Sequence, residues 1–133
     1  MGLTWTWEEA DDLAELAAEI IAVRPEVAHV DINEVLFLRE LEGMPGHTLA
    51  RTYRLSGHPI GFFTVAKYAI VFFEQQVDYM SRKQLAILML HELMHIPALG
   101  DKLVDHNVKD FRSILGIDLD WANPGREVMG ILE

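Results

Sequence analysis

Residues 88–111 read LMLHELMHIPALGDKLVDHNVKDF and contain three of the six histidines of the chain. The first two bracket a glutamate in the pattern His-Glu-x-x-His. On an α-helix, residues four apart lie on one face, so His91 and His95 can bind the same ion. Glu92 is offset by one position, where its carboxylate can take a proton from a water molecule at the ion. The stretch therefore predicts a metal-binding helix with Glu92 as general base.

The segment LAILMLHELMHI is apolar on nearly every side, so we expect this helix to be the most buried element of the fold. Ser81 is its predicted N-cap, with Gln84 at the third helical position in a capping box, and Pro97 ends it. Imidazoles and a carboxylate are costly to bury without partners, and a bound ion supplies partners. A metal site is therefore favoured over two structural histidines.

A hydrolytic zinc site has three protein ligands and leaves its fourth position to water. We predict His106 as the third ligand, because the ten residues after His95, IPALGDKLVD, are enough to turn the chain back. Asp105 remains the alternative, since oxygen ligands also suit zinc. If His106 is the ligand, Asp105 or Asp110 can accept a hydrogen bond from a ligand imidazole.

The remaining histidines lie in strand-start and loop contexts and are predicted to be exposed: His29, His47 and His58. An oxyanion-stabilising group would need a hydrogen-bond donor beside the metal. The candidate donors are Tyr53, Tyr68 and Tyr79. For all three the preferred interpretation is packing as half-buried aromatic side chains.

Hydrophobic periodicity predicts the rest of the fold on both sides of this helix. A first helix is expected at about residues 7–23, where Thr6 and Glu9 form a second predicted capping box. Strands are predicted within 30–38, 50–56 and 67–74, a last helix at about 105–116, and a packed tail after it.

At 133 residues, half of them hydrophobic, the chain is predicted to form a single domain over residues 1–133. Eleven basic against 21 acidic residues disfavour broad contact with nucleic acid. No apolar stretch is long enough for a membrane span. The N-terminus lacks a secretory signal pattern and the chain lacks cysteine, so cytoplasmic location is the default expectation. The sequence leaves the oligomeric state open.

The motifs HELMHI, DHNVKDF and ILGIDLDW, with YAIVFFE before them, resemble the phage metallopeptidases, small zincin-like proteins distantly similar to SprT-like proteases. The similarity covers roughly residues 67–121. It implies that His91, His95 and His106 bind Zn²⁺ and that Glu92 is the general base. It also implies an α+β fold, a minimal zincin-like domain whose helices pack on a small mixed sheet with a central HExxH helix. An edge strand of that sheet borders the cleft. The acidic balance and the lack of cysteine argue against a DNA-directed role.

These observations predict a zinc-dependent metallopeptidase that cleaves peptide or protein substrates. Metal-activated water would attack a carbonyl, and Glu92 would take the proton of that water and pass it to the leaving amine. A zinc amidase or other non-peptide hydrolase would use the same residues. A non-catalytic metal-binding or interaction domain is the third hypothesis. The intact Glu92 argues against this last one, because a structural zinc site needs no base.

Overall fold

The structure, a computed structural model, describes residues 7–42, 48–55, 66–100, 102–105, 114 and 120–132. Its elements in chain order are β1 (Trp7–Glu9), α1 (Asp11–Val23), β2 (Val35–Glu40), β3 (Ala50–Arg54), β4 (Tyr68–Phe73), α2 (Glu74–Val77) and α3 (Arg82–Leu93). Two single-turn 3-10 helices, Pro25–Val27 and Ile32–Glu34, connect α1 to β2. Three helices thus accompany one small mixed sheet, which confirms the predicted α+β class.

The sheet has the strand order β1-β2-β4-β3. β2 and β4 are parallel, and the outer strands β1 and β3 pair antiparallel to them. All six residues of β4 are buried. A central strand covered on both faces needs an apolar side chain at every position, which explains the unbroken run AIVFF. β3 lies at an edge of the described sheet, and this edge borders the candidate site.

The main core lies between the sheet and the helices α1 and α3. Alternate side chains of β2 and β4 point to this face, while the others form a second, smaller cluster. The buried members of the second cluster are Leu38, Val71 and Phe73. α3 is the most buried helix, with eight of its 12 residues buried. The prediction that it is the most buried element of all is wrong, since β4 is buried at every position.

The predicted start of the first helix is wrong. Trp7–Glu9 forms β1, in which Glu9 pairs with Leu38, and α1 begins only at Asp11. Ala10 occupies the N-cap position without a side-chain cap, and its N–H donates to the carbonyl of Phe37 at 3.0 Å. The backbone groups before α1 thus find partners on a strand about 30 residues away, which a local capping signal cannot reveal.

The capping box of α3 is confirmed. Ser81 Oγ accepts from the Gln84 N–H at 3.2 Å, and Gln84 Oε1 accepts from the Ser81 N–H at 2.9 Å. The strand predicted within 30–38 is shorter at its start, because Ile32–Glu34 forms a 3-10 turn before β2. The strands predicted within 50–56 and 67–74 are confirmed as β3 and β4.

Most of the predicted last helix lies outside the described residues. Of its two described positions, Asp105 is not helical, whereas Ile114 is helical and fully buried. The packed tail is confirmed over its described part, where Trp121, Val128 and Ile131 belong to the main core. Of the helices the structure describes, none combines the length and apolarity that crossing a membrane would require.

Candidate metal centre

α3 carries His91 and Glu92 in its last turn and ends at Leu93, two residues before His95. Beyond Leu93 the backbone hydrogen bonds run from residue i to residue i−3, as in a 3-10 helix. The His95 N–H donates to the Glu92 carbonyl at 3.1 Å, and the Ile96 N–H donates to the Leu93 carbonyl at 3.0 Å. The helix is therefore shorter than predicted. The two imidazoles nevertheless lie side by side, with ring centroids 5.1 Å apart.

The side chains of His91, Glu92 and His95 converge, and one ligand atom from each lies within 4.8 Å of the other two. Glu92 is buried, with 4% of its surface exposed, and the two histidines are partly buried. Two imidazoles beside a carboxylate form a donor set that zinc and related divalent ions prefer. These residues therefore fit a divalent metal ion.

The His95 ring is oriented by the segment that follows it. His95 Nδ1 lies 2.5 Å from the carbonyl oxygen of Val104, and the Val104 N–H donates to the His95 carbonyl at 2.7 Å. A carbonyl oxygen only accepts, so Nδ1 is the donor of this bond and Nε2 is the ring nitrogen that could bind an ion. This is the arrangement that a metal-binding histidine requires.

The Glu92 carboxylate is held from the edge strand. Thr52 on β3 places its hydroxyl oxygen 2.9 Å from Glu92 Oε1 and 3.0 Å from the Glu92 backbone carbonyl oxygen. The second carboxylate oxygen, Oε2, lies 3.7 Å from His91 Nε2. One oxygen of Glu92 is thus engaged by Thr52, and the other faces the imidazole cluster.

An open cleft of about 340 Å³ lies over His91 and Glu92. On one side it is bordered by the start of the edge strand, residues 48–50, and on the other by residues 120–123 of the tail. Leu88 of α3 contributes to its lining. His91 and Glu92 are therefore reachable from outside along a groove beside a strand edge.

The family model described as "Putative phage metallopeptidase" matches residues 5–124. The chain belongs to this family. The match extends well beyond residues 67–121, over which the sequence motifs indicated the resemblance. No curated protein and no solved structure matches the chain. Membership in the phage metallopeptidase family supports a metal-dependent peptidase, and the His91, Glu92 and His95 cluster is a group that can hold the metal.

In this member of the phage metallopeptidase family, the wall of the cleft formed by residues 120–123 is fixed by side chains at the start of α3 and just before it. Gln84 Nε2 donates to the carbonyls of Trp121 at 3.0 Å and Asn123 at 2.8 Å. The Tyr79 hydroxyl donates to the carbonyl of Ala122 at 2.6 Å. Burial raises the pKa of the Tyr79 phenol, which keeps this donor protonated at neutral pH. Three successive carbonyls of the wall thus have donors from the helix side.

The structure brings together three of the four predicted site residues, His91, Glu92 and His95. His106, His47 and His58 lie outside the described residues. His29 is exposed, as predicted, and its Nε2 lies 2.8 Å from the carbonyl oxygen of Ile96.

None of the three tyrosines considered as oxyanion donors is among the described residues lining the cleft. Tyr68 is buried in the main core, Tyr53 packs against the second cluster, and Tyr79 binds the wall. Sequence reasoning missed Thr52 and the second role of Gln84. The one signal for Gln84 was an amide directly before the apolar run that begins at Leu85.

Replacing Gln84 with glutamate should lower the free energy of unfolding by about 3 kcal/mol or more. The substitution removes the two N–H groups that bind the wall and places a carboxylate against their carbonyl acceptors. Urea unfolding measures the change. Gln75→Glu is the matched control, because Gln75 is exposed and makes a single 3.3 Å contact with the Leu41 carbonyl. The role assigned to Gln84 fails if both variants unfold at the same midpoint.

Proposed function

We propose that this member of the phage metallopeptidase family is a zinc-dependent peptidase in which His91, His95 and His106 hold the ion and Glu92 is the general base. The observation that supports it most is the convergence of two imidazoles and a buried carboxylate at one side of an open cleft. The same three side chains carry the sequence motif, so motif and geometry point to one site.

The choice of His106 as third ligand is supported by the contact between Val104 and His95. His106 follows Val104 by only two residues in the sequence, and two residues span at most about 7 Å. Asp105, the alternative ligand, is exposed and does not join the cluster of ligand groups found among the described residues. These two observations favour the histidine.

A zinc ion bound there would supply Lewis acidity, lowering the pKa of water and polarising the substrate carbonyl. Glu92 takes the proton of the attacking water on its Oε2, the oxygen that faces the imidazoles. It then gives this proton to the leaving amine. Both proton transfers require the Glu92 carboxylate to keep the same orientation. Burial of this side chain and the contact of Oε1 with Thr52 favour such a fixed orientation.

A peptide substrate is supported by the edge of β3. The hydrogen bonds from the Phe73 N–H to the Leu49 carbonyl (3.0 Å) and from the Leu55 N–H to the Lys67 carbonyl (2.7 Å) show that odd-numbered residues of this strand pair with β4. In an antiparallel ladder such pairing alternates, so the backbone groups of Ala50 and Thr52 point to the outer edge. An extended peptide can pair with them beside the cleft.

The test is metal content by elemental mass spectrometry on protein purified without added metal and without a histidine tag, combined with cleavage of a peptide library. We expect about one zinc per chain and cleaved peptides. His106→Ala should lose the zinc, while Asp105→Ala should keep it.

Protein that takes up no metal when zinc is offered would contradict the proposed function. Zinc retained by His106→Ala but lost by Asp105→Ala would assign the third ligand to Asp105 instead.

A further inference from the structure

The contact between Thr52 and Glu92 joins two parts of the molecule that are 40 residues apart in sequence. Thr52 is a buried polar residue, 7% exposed, and Ala50, on the same face of β3, packs against the main core. A buried hydroxyl needs a hydrogen-bond partner, and here both acceptors belong to Glu92. The chain therefore ties its edge strand to one particular side chain of α3.

The hydroxyl selects between the two oxygens of the carboxylate. An ionised carboxylate and a backbone carbonyl only accept hydrogen bonds, so the one hydroxyl proton of Thr52 is shared between Glu92 Oε1 and the Glu92 carbonyl oxygen. Oε1 is thus engaged by Thr52, while Oε2 is directed at His91, 3.7 Å from its Nε2. The Thr52 hydroxyl, by contacting Oε1, thus determines that Oε2 is the carboxylate oxygen that faces the imidazoles.

The backbone of Thr52 points in a different direction from its side chain. In a strand the side chain stands perpendicular to the sheet, whereas the N–H and C=O groups lie in its plane. The side chain reaches α3, and the backbone groups face the outer edge of β3, which in the described sheet has no further strand beside it. One residue therefore contacts the carboxylate and also offers pairing groups to an extended chain.

We propose that Thr52 is a positioning residue that holds Glu92 with Oε2 toward the reaction and sets the register between this carboxylate and a peptide paired with the edge strand. The inference rests on the proposed function for its second half, since the register matters only if a peptide is the substrate. The first half, the orientation of Glu92, is independent of turnover.

The test uses two variants of the full chain, Thr52→Val and Thr52→Ser. Valine has nearly the same shape but no hydroxyl, and serine keeps the hydroxyl without the methyl group. A matched control is Tyr53→Phe, which also removes one hydroxyl from β3 but on the opposite face of the sheet. Crystal structures of the metal-free proteins report the orientation of Glu92, and steady-state kinetics on a cleaved library peptide report kcat and KM.

We expect Thr52→Val to turn the Glu92 carboxylate away from its native orientation, to keep its zinc, and to lower kcat roughly 10- to 100-fold. KM should stay within about three-fold, because the backbone edge of β3 is unchanged. Thr52→Ser should restore kcat to within a few-fold of the native value, and Tyr53→Phe should match the native protein.

A native carboxylate orientation in Thr52→Val would overturn the proposal, as would a kcat within two-fold of the native enzyme. A serine variant as impaired as valine would also overturn it, because shape and not the hydroxyl would then be responsible. If the native chain cleaves no peptide, the proposed function fails, and the crystal structures of the valine and serine variants still decide whether Thr52 orients Glu92.

Discussion

We expect Glu92→Gln to lower kcat by about 10²- to 10⁴-fold, the usual contribution of a general base, and to leave the proposed zinc ion bound. The amide has the shape of the carboxylate but cannot accept a proton from water at neutral pH. Thr52 can still donate to the amide oxygen of the new side chain, so the buried contact survives. A variant that loses turnover but keeps its metal distinguishes the general base from the residues that bind the ion. Steady-state kinetics and elemental analysis of the same preparation measure both quantities.

Glu74→Gln is the matched control for this experiment. Glu74 lies on α2 and makes an ion pair with Arg39 at 3.1 Å, away from the cleft. The side chain is 44% exposed, so its neutralisation should change stability by less than about 1 kcal/mol and leave kcat unchanged. A Glu92→Gln enzyme with a tenth or more of the native kcat would contradict the role of Glu92 as the base.

His91→Ala removes a proposed ligand, and we expect it to abolish the stabilisation that the native chain should gain from zinc. An ion that binds only the folded state at 100 times its Kd adds about 2.7 kcal/mol. For a domain of this size that corresponds to a rise of about 10 °C in Tm. Thermal unfolding with zinc, and again after chelation, measures the rise in the native protein and its loss in the variant.

His29→Ala is the control that distinguishes a ligand from any other histidine. His29 is exposed and binds the carbonyl of Ile96 at 2.8 Å, outside the ligand cluster. Its loss can lower the starting Tm slightly, but the rise on adding zinc should be the same as in the native protein. An equal rise in His91→Ala would mean that His91 does not bind the ion.

Local signals in the sequence predicted α3 and its capping box correctly. The Ser81 and Gln84 bonds close within three residues, so short-range pattern is enough to foresee them. The two histidines converge for the same reason, since their spacing on the chain almost fixes their geometry. The helix end escaped prediction, because the backbone tightens into a turn before the proline that was expected to stop it.

Long-range partners could not be predicted in this way. The second predicted capping box failed because Trp7–Glu9 pairs with β2, and the edge-strand threonine gave no sign that its partner is Glu92. Gln84 shows both cases in a single side chain. Its oxygen completes a local cap, while its nitrogen binds carbonyls 37 and 39 residues further along.

The wall made by residues 120–123 has a consequence for the order of events during synthesis. Chains emerge from the ribosome from the N-terminus and fold as their partners become available. The helix with the histidines is complete some 30 residues before the segment that Gln84 holds. A nascent chain therefore contains His91, Glu92 and His95 before it contains the residues that form this wall of the cleft.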